Sequence, residues 1–126
     1  MISDKVFNAI NEQINKEMAS AYLYMAMSAQ CSDMTWPGFA KWFMAQYHEE
    51  MFHAMKFYNY LLDQGRRPVL KAIPEPKSQY SSLKAMFEAT YAHEQGVTKS
   101  IHALMKLARE ELDYATEGMV AWYVKE

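Results

Sequence analysis

At 126 residues, 51% hydrophobic and 22% charged, the chain has the length and composition of one domain, residues 1–126, with a single apolar core. A net charge of −2 with scattered basic residues gives no drive toward nucleic acid or an anionic membrane, and no apolar run approaches the ~18 residues of a bilayer span. The opening Met1-Ile2-Ser3-Asp4-Lys5 lacks an apolar signal core, so a cytoplasmic location is expected, and a lone Cys31 excludes an intrachain disulfide.

The first helix is expected over about residues 3–32, where alternating steps of four and three trace Ile10, Ile14, Glu17, Ala21, Tyr24, Ser28 and Cys31. On that line Cys31 reads as a small buried apolar residue. Thr35-Trp36-Pro37-Gly38 then breaks the pattern, with Pro37 suited to a first helical turn. The second helix, over about 37–64, carries Phe39, Phe43, Gln46, Glu50, His53, Phe57 and Tyr60 on its inner line. Gly65, Pro68, Pro74 and Pro76 end it. The ~16 residues up to Tyr80 reach roughly 50 Å when extended, against ~42 Å for a 28-residue helix, so this segment can cross the whole bundle.

The third helix, over about 81–108, repeats the design with Leu83, Phe87, Thr90, Glu94, Val97, Ile101 and Leu104. The fourth, over about 111–126, spans only ~24 Å, little more than half of its neighbours. The expected fold is therefore all-α: a four-helix bundle in up-down-down-up order with one long crossover, its fourth helix shortened and the chain interrupted before the bundle ends. Gly118 falls inside that helix, where glycine costs about 1 kcal/mol relative to alanine, so the fourth helix is expected to be the most mobile. The eleven methionines mostly flank stripe positions and read as gap-filling core residues.

Each long helix carries one inward glutamate near mid-length: Glu17, Glu50 and Glu94. Glu50 and His53, three apart, share one helical face. A lone Glu-x-x-His is ordinary on a helix, and a lone core histidine usually bonds a neighbour. The conjunction is different, because three buried carboxylates without cations would raise one another's pKa values and destabilise the fold. A metal site resolves the conflict: Glu17, Glu50 and His53 can hold one ion, and Glu50 can bridge to a second toward which Glu94 projects. Hard oxygen donors with one imidazole suit a pair of iron ions. Glu-x-x-His is itself the established pattern of di-iron bundles, so this step applies a known design.

The stretches Glu17-Met18-Ala19-Ser20-Ala21-Tyr22-Leu23-Tyr24, Gly38-Phe39-Ala40-Lys41-Trp42-Phe43, Glu49-Glu50-Met51-Phe52-His53-Ala54-Met55-Lys56 and Tyr60-Leu61-Leu62-Asp63-Gln64-Gly65 resemble a non-haem ferritin of bacterial type. Ala72-Ile73-Pro74-Glu75-Pro76, His93-Glu94, Asp113-Tyr114-Ala115-Thr116 and Trp122-Tyr123-Val124-Lys125-Glu126 extend the match along the chain. The resemblance implies a ferritin-like bundle and a ferroxidase centre in which Glu17, Glu50 and His53 hold one iron and Glu50 with Glu94 the other. Tyr24 would stand behind these ligands, and Glu49 with Glu126 would serve a third iron site. It further implies oxidation of two Fe(II) per centre by dioxygen or peroxide, and storage of Fe(III) in a homo-oligomeric cage of 24 subunits. The family's remaining ligands, a Gln and a Glu, and its short fifth helix would lie past Glu126. Competing expectations are a haem-binding bacterioferritin, for which Met51 is the pointer, a rubrerythrin-like peroxidase, and a non-catalytic iron-binding shell subunit.

Overall fold

A computed structural model describes residues 2–126. It contains four helices, α1 (Asp4–Asp33), α2 (Pro37–Asp63), α3 (Leu83–Glu110) and α4 (Tyr114–Lys125). Each boundary has a local cause. Ser3 caps α1 by accepting the Val6 amide, and Ser82 caps α3 by accepting that of Ala85. Pro37 occupies the first turn of α2, and Gly65 leaves that helix at φ 74°, a left-handed conformation that glycine adopts without strain. α4 starts later than the periodicity predicts because Leu112 turns left-handed at φ 53° and Asp113 then caps the helix through the Thr116 amide.

The crossover, residues 64–82, is held against α1 by side chains that act as short pieces of backbone. Arg66 anchors its start through Asp4, at 3.0 Å, and through the Phe7 ring. The Asn11 amide both donates to the Val69 carbonyl and accepts from its N–H, and Gln30 does the same with Tyr80. The segment thus travels from the beginning of α1 to its end, which starts α3 at the far side. Contacts of Lys16 with Ser100, Ser20 with His93 and Cys31 with Met86 show α3 running antiparallel to α1, hence parallel to α2. α4 returns antiparallel to α2, pairing Thr116 with Tyr60 and Tyr123 with His53. The order is up-down-down-up, as the crossover length allows.

Every residue on the expected inner line of α1 is buried, Cys31 included. Two apolar cores result. One gathers Val6, Ile10, Ile14, Phe57, Leu61, Ile101, Leu104 and Val120; the other gathers Tyr24, Met27, Cys31, Phe43, Tyr80 and Met86. Between them lies a polar layer on α1, α2 and α3. The inner lines of α2 and α3 are less faithful to expectation: Phe39 is exposed, and Leu83, Phe87 and Val97 are only half-buried. For Phe39 and Phe87 the reason is coverage: their rings meet each other at 5.7 Å between α2 and α3, but α4 lies along α2 only from Tyr60 to His53 and does not cover that pair. Among the described residues no helix is long and apolar enough to cross a membrane.

Candidate metal centre

Glu17 from α1 and Glu50 and His53 from α2 converge in the polar layer, each offering one ligand atom within 4.8 Å of the others. Both carboxylates are buried, and the imidazole is 14% exposed. His53 Nδ1 stands 3.8 Å from Glu17 Oε2 and 3.5 Å from Glu50 Oε2. These separations exceed a good hydrogen bond. They approach the ~3.4 Å edge that donors form when they surround one ion at ~2.1 Å. Glu17 Oε2, Glu50 Oε2 and His53 Nε2 are all buried without a hydrogen-bond partner. Two orphaned carboxylate oxygens facing one imidazole nitrogen in a protein interior are rare, and a cation is the species that satisfies carboxylate and imidazole together.

The electrostatics follow from crowding. Burial is the largest influence on Glu17 and acts to raise it, but pairing with His53, the contact with Glu50 and the Gln13 amide outweigh burial and hold this carboxyl below its ordinary value. Glu50 has no such support. Burial, and the negative charges of Glu17 and Glu94, push it up to about 8 in spite of His53. Burial acts to lower His53, yet the two adjacent carboxylates dominate and raise it to about 10. Crowding and burial thus favour the ionised form of Glu17 and the protonated forms of Glu50 and His53.

Glu94 lines the same cavity of about 220 Å³, together with Val97, Ile101 and Tyr123. Its carboxylate is not in the three-atom cluster, because Oε1 accepts the Tyr24 hydroxyl. Burial and that bond raise the Tyr24 phenol well above its ordinary value, so it stays a hydrogen-bond donor. Glu49, His53 and Glu126 form a second trio within 4.8 Å, on the exposed side of the imidazole. All seven residues singled out from the sequence therefore lie in or beside one layer.

Two supports escaped sequence reading. Gln13, 3% exposed, donates to Glu17 Oε1 at 3.1 Å from one turn earlier on α1. The only pointer to it was the spacing of four, which is common on any helix. Tyr123 donates its hydroxyl to the His53 carbonyl at 2.7 Å and stacks on Phe57 at 4.0 Å, fixing α4 to α2 at the height of the cluster.

The profile of the ferritin-like domain matches residues 7–126. A bacterial non-heme ferritin of Staphylococcus saprophyticus is 40% identical over 126 residues, covering 100% of this chain and 75% of the relative. The corresponding protein of Staphylococcus aureus strain USA300 is 38% identical over the same span and 76% of its own length. Among solved structures, the open-pore ferritin of the archaeon Archaeoglobus fulgidus superposes with a TM-score of 0.97 at 42% identity, over 99% of this chain and 77% of that one. The Chlorobium tepidum ferritin gives 0.96 at 34% identity, over 99% and 77%. With the helix order, the polar layer and the identity all in agreement over the length of the chain, it belongs to the ferritin family.

Proposed function

We propose that this chain is a subunit of an iron-storage ferritin that oxidises Fe(II) at a two-iron centre inside its bundle. The observation that carries the reading is the Glu17, Glu50 and His53 cluster, in which Glu17 Oε2 and Glu50 Oε2 face the imidazole without a hydrogen bond although apolar cores lie on both sides of the layer. Iron is the substrate here and the cargo. Glu17, Glu50 and His53 bind the first Fe(II); Glu50 and Glu94 bind the second, with Tyr24 orienting Glu94. Holding two Fe(II) side by side lets two electrons pass to one dioxygen or peroxide, and the carboxylates stabilise the charge that accumulates as Fe(III) forms.

The chain's own contribution is proton chemistry and positioning. Glu17 is already ionised, which supplies the initial attraction. Glu50 and His53 give up their protons as the ion takes their place, so uptake of Fe(II) is coupled to proton release. Glu49 and Glu126 border His53 on its exposed side and are suited to a third, weaker iron site. Oxidised iron is stored in the hollow of a homo-oligomer of 24 subunits in the cytoplasm.

Stopped-flow oxidation at two Fe(II) per chain tests the enzyme reading. A fast phase that saturates at two equivalents supports it. A rate equal to uncatalysed Fe(II) oxidation, with iron still bound, identifies a non-catalytic shell subunit instead.

A further inference from the structure

Glu94 reaches the second iron position only if its carboxylate is held at the right height, and the residues that do this extend beyond Tyr24. α1 carries Ser20 and Tyr24 one turn apart, while α3 carries His93 and Glu94 side by side. Ser20 is fully buried, and its hydroxyl donates to the Lys16 carbonyl at 3.0 Å. That same oxygen lies 2.6 Å from His93 Nε2. A serine hydroxyl has a single hydrogen; with it committed to Lys16, the imidazole N–H donates to Ser20 Oγ. The His93 ring, fixed in this way, meets Tyr24 edge-on at 5.9 Å and 82°. Phe43 lies against Tyr24 at 6.3 Å and 29°. Tyr24 is thus confined by α3 and α2 together, and its hydroxyl is aimed at Glu94 Oε1.

We infer that His93, through its hydrogen bond to Ser20, is a positioning residue for the second iron site: it sets the Tyr24 ring, which in turn sets the Glu94 carboxylate. This rests on the two-iron reading and goes beyond it by naming the pair that makes the two sites unequal in their dependence on the α1–α3 contact. The first site draws its three donors from α1 and α2 alone and does not require that contact. A purely structural role for Ser20 and His93 would loosen both sites together, whereas the positioning role is selective.

Co(II) reports the difference, since it occupies carboxylate–imidazole sites without being oxidised under anaerobic conditions and its visible absorption resolves successive equivalents. The protein is titrated with Co(II) alone, with helix content checked by circular dichroism. Ser20→Ala and His93→Phe should leave the first equivalent unchanged and weaken the second by about tenfold, the worth of one buried hydrogen bond. His93→Gln, which restores a donor at the Nε2 position, should return the second equivalent to within about threefold of the parent. If Ser20→Ala does not fold, His93→Phe, which keeps the ring against Tyr24, decides alone. A second equivalent that is unchanged in His93→Phe overturns the assignment, as does equal weakening of both equivalents. A parent protein that binds fewer than two Co(II) per chain overturns the two-iron reading itself, and the positioning role falls with it.

Discussion

Replacing Glu50 with glutamine should make the metal-free protein more stable and the metal-loaded protein less so. Glu50 is buried, its Oε2 has no hydrogen-bond partner, and its pKa stands at about 8 against an ordinary 4.5. At pH 7 the unfolded chain holds this group ionised while the folded chain must protonate it. At 1.36 kcal/mol per unit, the 2.5 units between 4.5 and 7 correspond to about 3 kcal/mol against folding. Glutamine has the same shape, needs no proton and can donate to Glu17, so Glu50→Gln should raise the midpoint of thermal unfolding in chelator by about 5–10 °C. The sign of the pH dependence follows from the raised value. Glu50's contribution to stability is fully present below 4.5 and is lost as pH rises through about 8, so the gap between variant and parent should widen across that window. Zn(II) should reverse the ranking once it is present at about 1,000 times its Kd, where it stabilises the parent by about 4.1 kcal/mol, more than the deficit at Glu50, while the variant has lost an anionic donor. Calorimetry with and without Zn(II), at pH 5 and pH 8, measures all of this. A variant less stable than the parent in chelator at pH 7, or a gap that does not widen with pH, would refute the reasoning.

His53→Ala should act in the opposite sense: it removes the imidazolium beside a buried, ionised Glu17 and should destabilise the metal-free protein by about 3–5 kcal/mol, read from denaturant unfolding. Binding of the first divalent ion at pH 7 should release about two protons, one each from Glu50 and His53, and titration calorimetry in buffers of different ionisation enthalpy counts them. Apparent affinity should accordingly rise with pH toward 8; an affinity flat between pH 6 and 8 would contradict the proton assignment. Gly118→Ala should stabilise α4 by about 0.5–1 kcal/mol, because a Cβ there meets nothing within 4 Å and the residue is helical. Amide exchange supplies the check on the same helix: α4, with 12 residues against 27 in α2, should exchange faster in the parent and slow in the alanine variant.

The bundle order was legible because it depends on few things: the periodicity of three long helices and one connection long enough to span them. Glu17, Glu50 and His53 were legible for a related reason, since a charged residue on an otherwise apolar line contradicts its surroundings, and the contradiction marks the site. Gln13, Ser20 and His93 left no such mark. Polar residues are common on helices, and only the antiparallel register of α1 against α3 turns Ser20 and His93 into a pair. Phe39 misled for the converse reason. Its spacing placed it inward and its ring does meet Phe87 of α3, but α4 does not extend that far along α2, which leaves the pair uncovered. Glu94 lines the same cavity as Glu17, Glu50 and His53, while its engagement with Tyr24 depends on a side-chain direction that spacing does not encode.

The division of the core into two clusters explains how a fold this small carries three ionisable groups in its interior. Ile10, Ile14, Phe57, Leu61 and Leu104 pack on one side of the layer and Tyr24, Met27, Phe43 and Met86 on the other, each set completing its own apolar contacts across two or more helices. Neither depends on the residues of the layer for closure. The unfavourable electrostatics are therefore confined to one layer between the two apolar clusters, which pack on α1 and α2 on either side of it. The 3.5 and 3.8 Å separations are those expected of the proposed site, its donors held at coordination spacing instead of collapsed into hydrogen bonds. If Glu50 is a ligand as proposed, the stability lost there and the capacity to bind a metal ion are two consequences of the same buried, unpaired carboxylate.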